Sequence, residues 1–350
     1  MKNIIRNKSV LDFIIFIFTL VLLAGCQKDG PLPVSSANVN STNINWTTYG
    51  LGLDISALAV SGGNIFGGTN VDSDSGFFEG RVYVSTINGS TWQSANSGLP
   101  NQGVAALAAI GSSIFMGTAD ADGSGIYVST NNGSTWQRAN NGIPVFTIGG
   151  ATSFEVSGNS IIAGTGVGVF VSADNGGSWQ SANSGLPPNG VSALAVSGNS
   201  IFAGVWRNIY GGGVYVSTNN GSSWQSANNG LANIGEVYAL AVSGNTIFAG
   251  TSNGPNMDGG GVYISTDNGN SWQLANNGMH FPVSSFAVSG SSIFAGTAGC
   301  GVYVSTNNGS SWQSANSGLS NLQVNDLAVG GNSIIAATYG GIFVSTLNAD

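Results

Sequence analysis

Two segments decide the fold: Val191-Ser-Ala-Leu-Ala-Val-Ser-Gly-Asn-Ser-Ile-Phe-Ala-Gly204, then Gly213-Val-Tyr-Val-Ser-Thr-Asn-Asn-Gly-Ser-Ser-Trp224-Gln-Ser-Ala-Asn-Asn-Gly-Leu231. Larger apolar side chains alternate with small ones, a period of two that predicts strands. Ser-Gly-Asn and Asn-Asn-Gly between the runs are turn chemistry. One unit therefore holds four strands: A (Ala-Leu-Ala-Val), B (Ile-Phe-Ala-Gly-Thr), C (Val-Tyr-Val-Ser) and D (Trp-Gln-Ser-Ala). No stretch after residue 26 has helical periodicity.

The unit recurs along the chain, marked by Trp46, Trp92, Trp136, Trp179, Trp224, Trp272 and Trp312, at spacings of 46, 44, 43, 45, 48 and 40 residues. Such a period means a repeat architecture, and four-stranded antiparallel units of this size fit propeller blades. The first unit begins at its Trp strand, and the last stops at Ser345-Thr346, where a Trp strand is due. An open solenoid has no use for that arrangement, but a closed ring does. The expectation is an all-β, seven-bladed propeller in which the Trp46 strand completes the C-terminal blade.

Outside the ring the chain divides into residues 1–25, a signal peptide; 26–45, a polar tether; and 46–350, the propeller. Lys2, Arg6 and Lys8 precede an apolar run from Val10 to Leu22 that is short for a membrane span. Leu23-Ala24-Gly25-Cys26 then resembles the lipobox of bacterial lipoproteins, which implies cleavage before Cys26 and acylation of that residue. Gln27 stands where an Asp would resemble an inner-membrane retention signal. The expected address is the cell envelope, lipid-anchored at the outer membrane or on the surface. Cleavage leaves four basic residues against fourteen acidic ones. That balance, with no basic stripe, excludes nucleic acid as a partner. With Cys26 acylated, Cys300 is expected to stand alone.

The C–D turn carries a second resemblance. Ser129-Thr-Asn-Asn-Gly-Ser-Thr-Trp136, Ser172-Ala-Asp-Asn-Gly-Gly-Ser-Trp179 and Ser265-Thr-Asp-Asn-Gly-Asn-Ser-Trp272 resemble the Asp-box, S-x-D-x-G-x-[ST]-W. Further copies begin at Ser217 and Ser305, and one at Ser85 has Ile87 where the Asp belongs. Locally, Asp or Asn folds back onto backbone N–H groups, and Gly takes the positive-φ position. Asp-boxes occur in sialidases and other glycosidases, in sortilin-like receptors and in photosystem assembly factors. The resemblance implies the propeller fold and is nearly silent on activity. A sialidase is not expected: that family uses an arginine triad, and only Arg81, Arg138 and Arg207 follow the tether.

Chemistry is expected on the face formed by the B–C and D–A loops, where the repeats diverge. Trp206, Arg207 and Tyr210 share one long B–C loop, where two rings beside a cation suit a sugar or a polar protein patch. His280 and Phe281 lie on the same face; His280 and Cys300 form a candidate Cys–His pair without an orienting partner. Asp72 with Asp74, and Asp120 with Asp122, alternate before glycine as calcium ligands do, so calcium is the candidate cofactor. A glycosidase pair has candidates in Asp54, Asp72, Asp74, Glu79, Asp120, Asp122, Glu236, Asp258 and Asp326, and no spacing rule selects two of them. Glu155 replaces a small residue of strand A near the axis. The leading expectation is a non-catalytic, lipid-anchored propeller that binds a protein or glycan through this face. A glycoside-active enzyme and a structural adhesin or spacer are the alternatives.

Overall fold

The computed structural model describes residues 44–49, 52–70, 81–87, 89, 91–118, 125–144, 150–208, 211–231, 234–253 and 260–347. Seven separate four-stranded antiparallel sheets form, each ordered A-B-C-D as a meander. Blade 6 is typical: A Val283–Ser289, B Ser292–Thr297, C Gly301–Ser305 and D Gln313–Ser314; blade 4 consists of A Val191–Ser197, B Ser200–Asn208, C Gly211–Ser217 and D Gln225–Ser226. The described residues contain no helix. The fold is therefore a seven-bladed propeller.

Closure runs through the N-terminal strand. Blade 7 is built from Val324–Gly330, Ser333–Thr338 and Gly341–Thr346, with Thr47–Thr48 as its outer strand. Thr47 pairs with Val344 and Thr48 with Phe343. Ile44 and Trp46 are buried. The Asn45 N–H donates to Ser345 Oγ at 2.9 Å, so the C–D turn of this blade is patched across the chain ends.

Each tryptophan fastens a joint between blades. The Trp136 indole N–H donates to Ala95 O of the preceding blade, and Trp179 repeats this toward Ala139 O, both at 2.8 Å. At the closing blade Trp46 donates to Ala315 O, and Trp92 of blade 1 donates to Tyr49 O, both at 2.6 Å. Buried Trp needs such a partner for its N–H, and its ring fills the wedge between blades. The strand B phenylalanines lie deeper, and Phe66, Phe115, Phe202, Phe248 and Phe294 are fully buried.

The C–D turns are structural fasteners too. In the turn starting at Ser172, Asp174 accepts from the Ser178 N–H at 2.8 Å and from Ser178 Oγ at 2.6 Å, while the Gly176 N–H donates to Ser172 Oγ. These bonds hold the exposed Asp174 carboxyl down at about 2. Gly176 sits directly over Phe115 of the preceding blade. One local expectation needs extension: both Asn175 and Gly176 take positive φ, 57° and 86°, so the turn uses two left-handed residues. Asn tolerates that region because its short amide bonds locally. Where Ile87 replaces the acceptor, Ser85 Oγ is left buried without a partner.

Candidate functional site

An antiparallel meander puts the A–B and C–D turns at one end of every blade and the B–C and D–A connections at the other. The second end is the face where the seven units differ. On blade 4 the B–C hairpin is extended, and Asn208 pairs with Gly211 beyond the ordinary blade edge. On blade 5 strands A and B are also long, Ile234–Ser243 and Thr246–Asn253, with Ile234 opposite Asn253. These two blades raise one side of the face.

The structure ties Trp206 down. Its backbone N–H donates to Gly190 O at 2.8 Å, and Asn189 Nδ2 donates to its backbone carbonyl at 2.9 Å. The half-buried indole lies over Gly190, where an added Cβ would fall 2.6 Å from ring atom Cε3. Gly190 is thus required by a close approach. Arg207 follows on the same strand; its side chain and Tyr210 lie outside the described residues, as do Asp72, Asp74, Asp120 and Asp122. Among the described residues no group of three His, Cys, Asp or Glu could hold a metal ion.

His280 is exposed in the D–A connection entering blade 6. Phe281 beside it is half-buried and leans on Tyr303, ring centroids 5.9 Å apart. Its ring is therefore partly packed against the blade. Cys300 is buried, its N–H donates to Thr297 Oγ1, and its carbonyl accepts from Asn316 Nδ2. The other cysteine of the sequence, Cys26, lies outside the described residues. His280 is exposed and Cys300 is buried, so the fold does not bring the two together as a Cys–His pair.

Of the candidate carboxylates, Asp54, Glu236 and Asp326 are described. Asp54 accepts from Asn325 Nδ2 at 2.8 Å. Asp326 is not on the loop face. It is the third residue of strand A in blade 7, where the register shifts, and its carboxyl is buried. It accepts from Leu58 N–H at 2.8 Å, Ser285 Oγ at 2.9 Å and Leu327 N–H at 2.8 Å. Burial pushes its pKa to about 6, against those bonds. Glu155, fifth in strand A of blade 3, is pushed to about 7 by burial, with one opposing bond from the Val156 N–H.

One group escaped the sequence reading. Tyr238 occupies the second position of strand A in blade 5, where Ser56, Ser192 and Ser284 stand in other blades. Those serines donate to the next blade, as Ser56 Oγ does to Val104 O at 2.6 Å. Tyr238 instead shares Ser252 with blade 5 itself: its hydroxyl bonds the Ser252 side chain, and the Glu236 N–H donates to Ser252 Oγ. Burial first, then the Glu236 charge, push the phenol up to about 12. A Tyr beside a Glu resembles a nucleophilic pair on paper. Here the carboxylate opposes ionisation, so Tyr238 stays a neutral phenol at physiological pH. The signal was legible as a break in the Ser pattern.

Exposed large apolar side chains gather on this face. Leu53 and Leu322 lie in D–A connections, and Val167 and Tyr339 in B–C turns; they are 38%, 37%, 39% and 53% exposed. Tyr339 N–H donates to Gln323 O, and the Gly301 N–H donates to Leu322 O, which places these tips over blades 6 and 7. Only two other exposed large apolar side chains occur among the described residues, Val156 on strand A and Leu274 on strand D.

Comparison with solved structures places this architecture among known propellers. The chain is similar to the extracellular domain of BT4673, a one-component system of B. thetaiotaomicron, at 16% identity and a TM-score of 0.68, over 89% of this chain and 40% of that one. It is similar to the GH74 xyloglucanase of Xanthomonas campestris at 17% identity and a TM-score of 0.66, over 87% and 54%. It is similar to YCF48 bound to D1 peptide at 13% identity and a TM-score of 0.64, over 90% and 100%. The chain thus spans about half or less of the first two proteins. At these identities the likeness concerns the fold alone. No curated protein matches the sequence. A family model does match residues 80–298, more than half the chain, and the chain belongs to the DUF6242 beta propeller domain family.

Proposed function

We propose that this chain is a lipid-anchored cell-envelope propeller that binds a protein or a glycan through its B–C and D–A loop face without catalysis. The observation that carries the reading is the exposure of Leu53, Leu322 and Tyr339 at blades 1 and 7, and of Val167 on blade 3, all on the one face where the repeats diverge. Apolar tips left in water on a rigid ring are what a partner covers. Two of the described groups support the non-catalytic part of the reading. Tyr238 is held neutral, and Asp326 is engaged in three hydrogen bonds. Two of the similar structures are in keeping with the reading in kind: one is an extracellular domain, and one holds a peptide.

A glycan array and a peptide array, each probed with the purified propeller, test it. Tyr339→Ser with Leu322→Ser should reduce any captured signal at least tenfold and leave the melting curve unchanged. Trp206→Ala with Tyr210→Ala is the companion pair. If both pairs keep affinity within about twofold, binding lies elsewhere on the ring.

The anchor is tested at Cys26. Cys26→Ser should abolish fatty-acid labelling and move the chain from the membrane fraction to the soluble one. A thioether-linked Cys26 cannot also form a disulfide. In the lipidated chain Cys300 should therefore alkylate in denaturant without prior reduction. Membrane fractionation unchanged by Cys26→Ser would refute the anchor.

A further inference from the structure

Interchangeable blades pose a problem of assembly. Six joints join consecutive units, but the seventh must bring blade 7 to blade 1 across the length of the chain. Strand A and the C–D turn are nearly the same in every unit, so blade 7 meets similar surfaces on any blade. The joint it makes departs from the repeat at three heights, and each departure is matched across the joint.

At the loop end, the second position of strand A is Asn325, where Ser192 and Ser284 stand in blades 4 and 6. Ser284 Oγ reaches the next blade's Val324 O at 2.7 Å. Asn325 Nδ2 makes the corresponding bond to Ile55 O at 2.8 Å and a second one to Asp54 Oδ1 at 2.8 Å. The residue equivalent to Asp54 is Gly103, Gly150, Gly190, Pro282 or Gln323 at the entry to blades 2, 3, 4, 6 and 7, where an Asn would find no carboxylate, and Glu236, one methylene longer, at the entry to blade 5.

Midway, the third position is Asp326, where other units have Ala or Ser. Ser153 and Ser285 accept the N–H of the next blade's fourth residue, Leu194 and Leu327. Asp326 accepts Leu58 N–H of blade 1 and also Ser285 Oγ of blade 6, so one carboxyl ties three consecutive blades. At the opposite end, Gly330 closes strand A where Ser197, Ser243 and Ser289 close others. A Cβ there would meet Ile87 Cδ1 at 2.7 Å and Val60 Cγ1 at 2.8 Å. Gly330 is needed for room, since its φ is not left-handed. Ile87 in turn is the residue that replaces the turn's Asp or Asn, and it packs on the cluster that holds Leu58, Ile335 and Val344. The orphaned Ser85 hydroxyl is a local cost of placing an apolar side chain there.

We propose that this joint is keyed: Ile87 over Gly330, Asn325 on Asp54 and Asp326 on the Leu58 amide together select blade 1 as the neighbour of blade 7, so that a chain of interchangeable blades closes as a ring of seven. Buried polar and shape-matched groups that fix register are a known use of such pairs. The key adds to the outer closure by the Trp46 segment, which supplies the outer strand of blade 7.

The test restores the residues of the other joints: Ile87→Asn, Gly330→Ser, Asn325→Ser and Asp326→Ala in one protein. After refolding from guanidinium, light scattering on a sizing column and hydrogen exchange of strands Ile55–Ser61 and Val324–Gly330 are read. The variant should yield at least threefold more misclosed material, as oligomer or as monomer with these strands unprotected. A monomer yield and exchange pattern equal to the parent's would overturn the proposal. Should the fourfold variant not fold, the pair decides. Gly330→Ser alone should lower the monomer yield, and adding Ile87→Asn should restore it. If the second change restores nothing, there is no key.

Discussion

Deleting residues 41–53 should lower the melting temperature by at least about 6 °C and convert part of the protein into oligomers. Trp46 and Ile44 are buried, and the Trp46 indole N–H closes on Ala315. Truncating a buried Trp typically costs about 3–5 kcal/mol. At about 2–4 °C per kcal/mol for a large domain, that alone gives the expected shift. The strand also covers the edge of Gly341–Thr346, paired at Val344 and Phe343. Uncovered, that edge is a template for another chain. Trp46→Ala should produce most of the melting shift with little oligomer, because it keeps the strand. Differential scanning calorimetry with light scattering reads both effects. An unchanged melting curve for the deletion would mean that the ring does not depend on this strand.

Much of the fold was legible because both of its signals are local and repeated. Period-two alternation places strands wherever it occurs, and a joint that falls inside a blade implies closure. The site was less legible for a physical reason. Asp326 sits among loop-end residues in sequence, yet the register shift before it turns its carboxyl into the buried joint between blades. Only knowledge of which strand edge faces the next blade separates those outcomes. The break from Ala to Asp was visible in the repeat, and its meaning was not. Trp206 shows the same limit: stacking surface and lid read alike in sequence, and Gly190 beneath the ring decides how this one is held. Tyr238 was passed over because a Tyr among serines looks like drift until Glu236 and Ser252 are placed beside it.

Two buried carboxyls make the ring more stable in mild acid than in mild base. Burial raises Asp326 from 3.8 to about 6 and Glu155 from 4.5 to about 7. A carboxyl raised in the folded state holds its proton more tightly there than in the unfolded chain. Stability therefore falls as pH rises from the unfolded pKa through the folded one and is level beyond it. Between pH 8 and pH 5 the gain on acidification is on the order of 1 kcal/mol from Asp326 and at most roughly 2–3 kcal/mol from Glu155. The second figure is an upper bound, because Glu155 keeps partial contact with solvent. Below pH 4 the trend reverses, since Asp174 and Asp267 are held below the usual range by their turn bonds and lose them on protonation. Urea unfolding at pH 5 and pH 8 should thus differ by up to about 3–4 kcal/mol in favour of pH 5. The whole chain's acidity, with an isoelectric point near 4.3, also relieves repulsion in that direction. Glu155→Gln and Asp326→Asn separate the two sources: each should flatten its own share of the pH dependence, and general charge repulsion would leave the slope almost intact. If the parent protein is equally stable at both pH values, the two carboxyls are not held as the structure holds them.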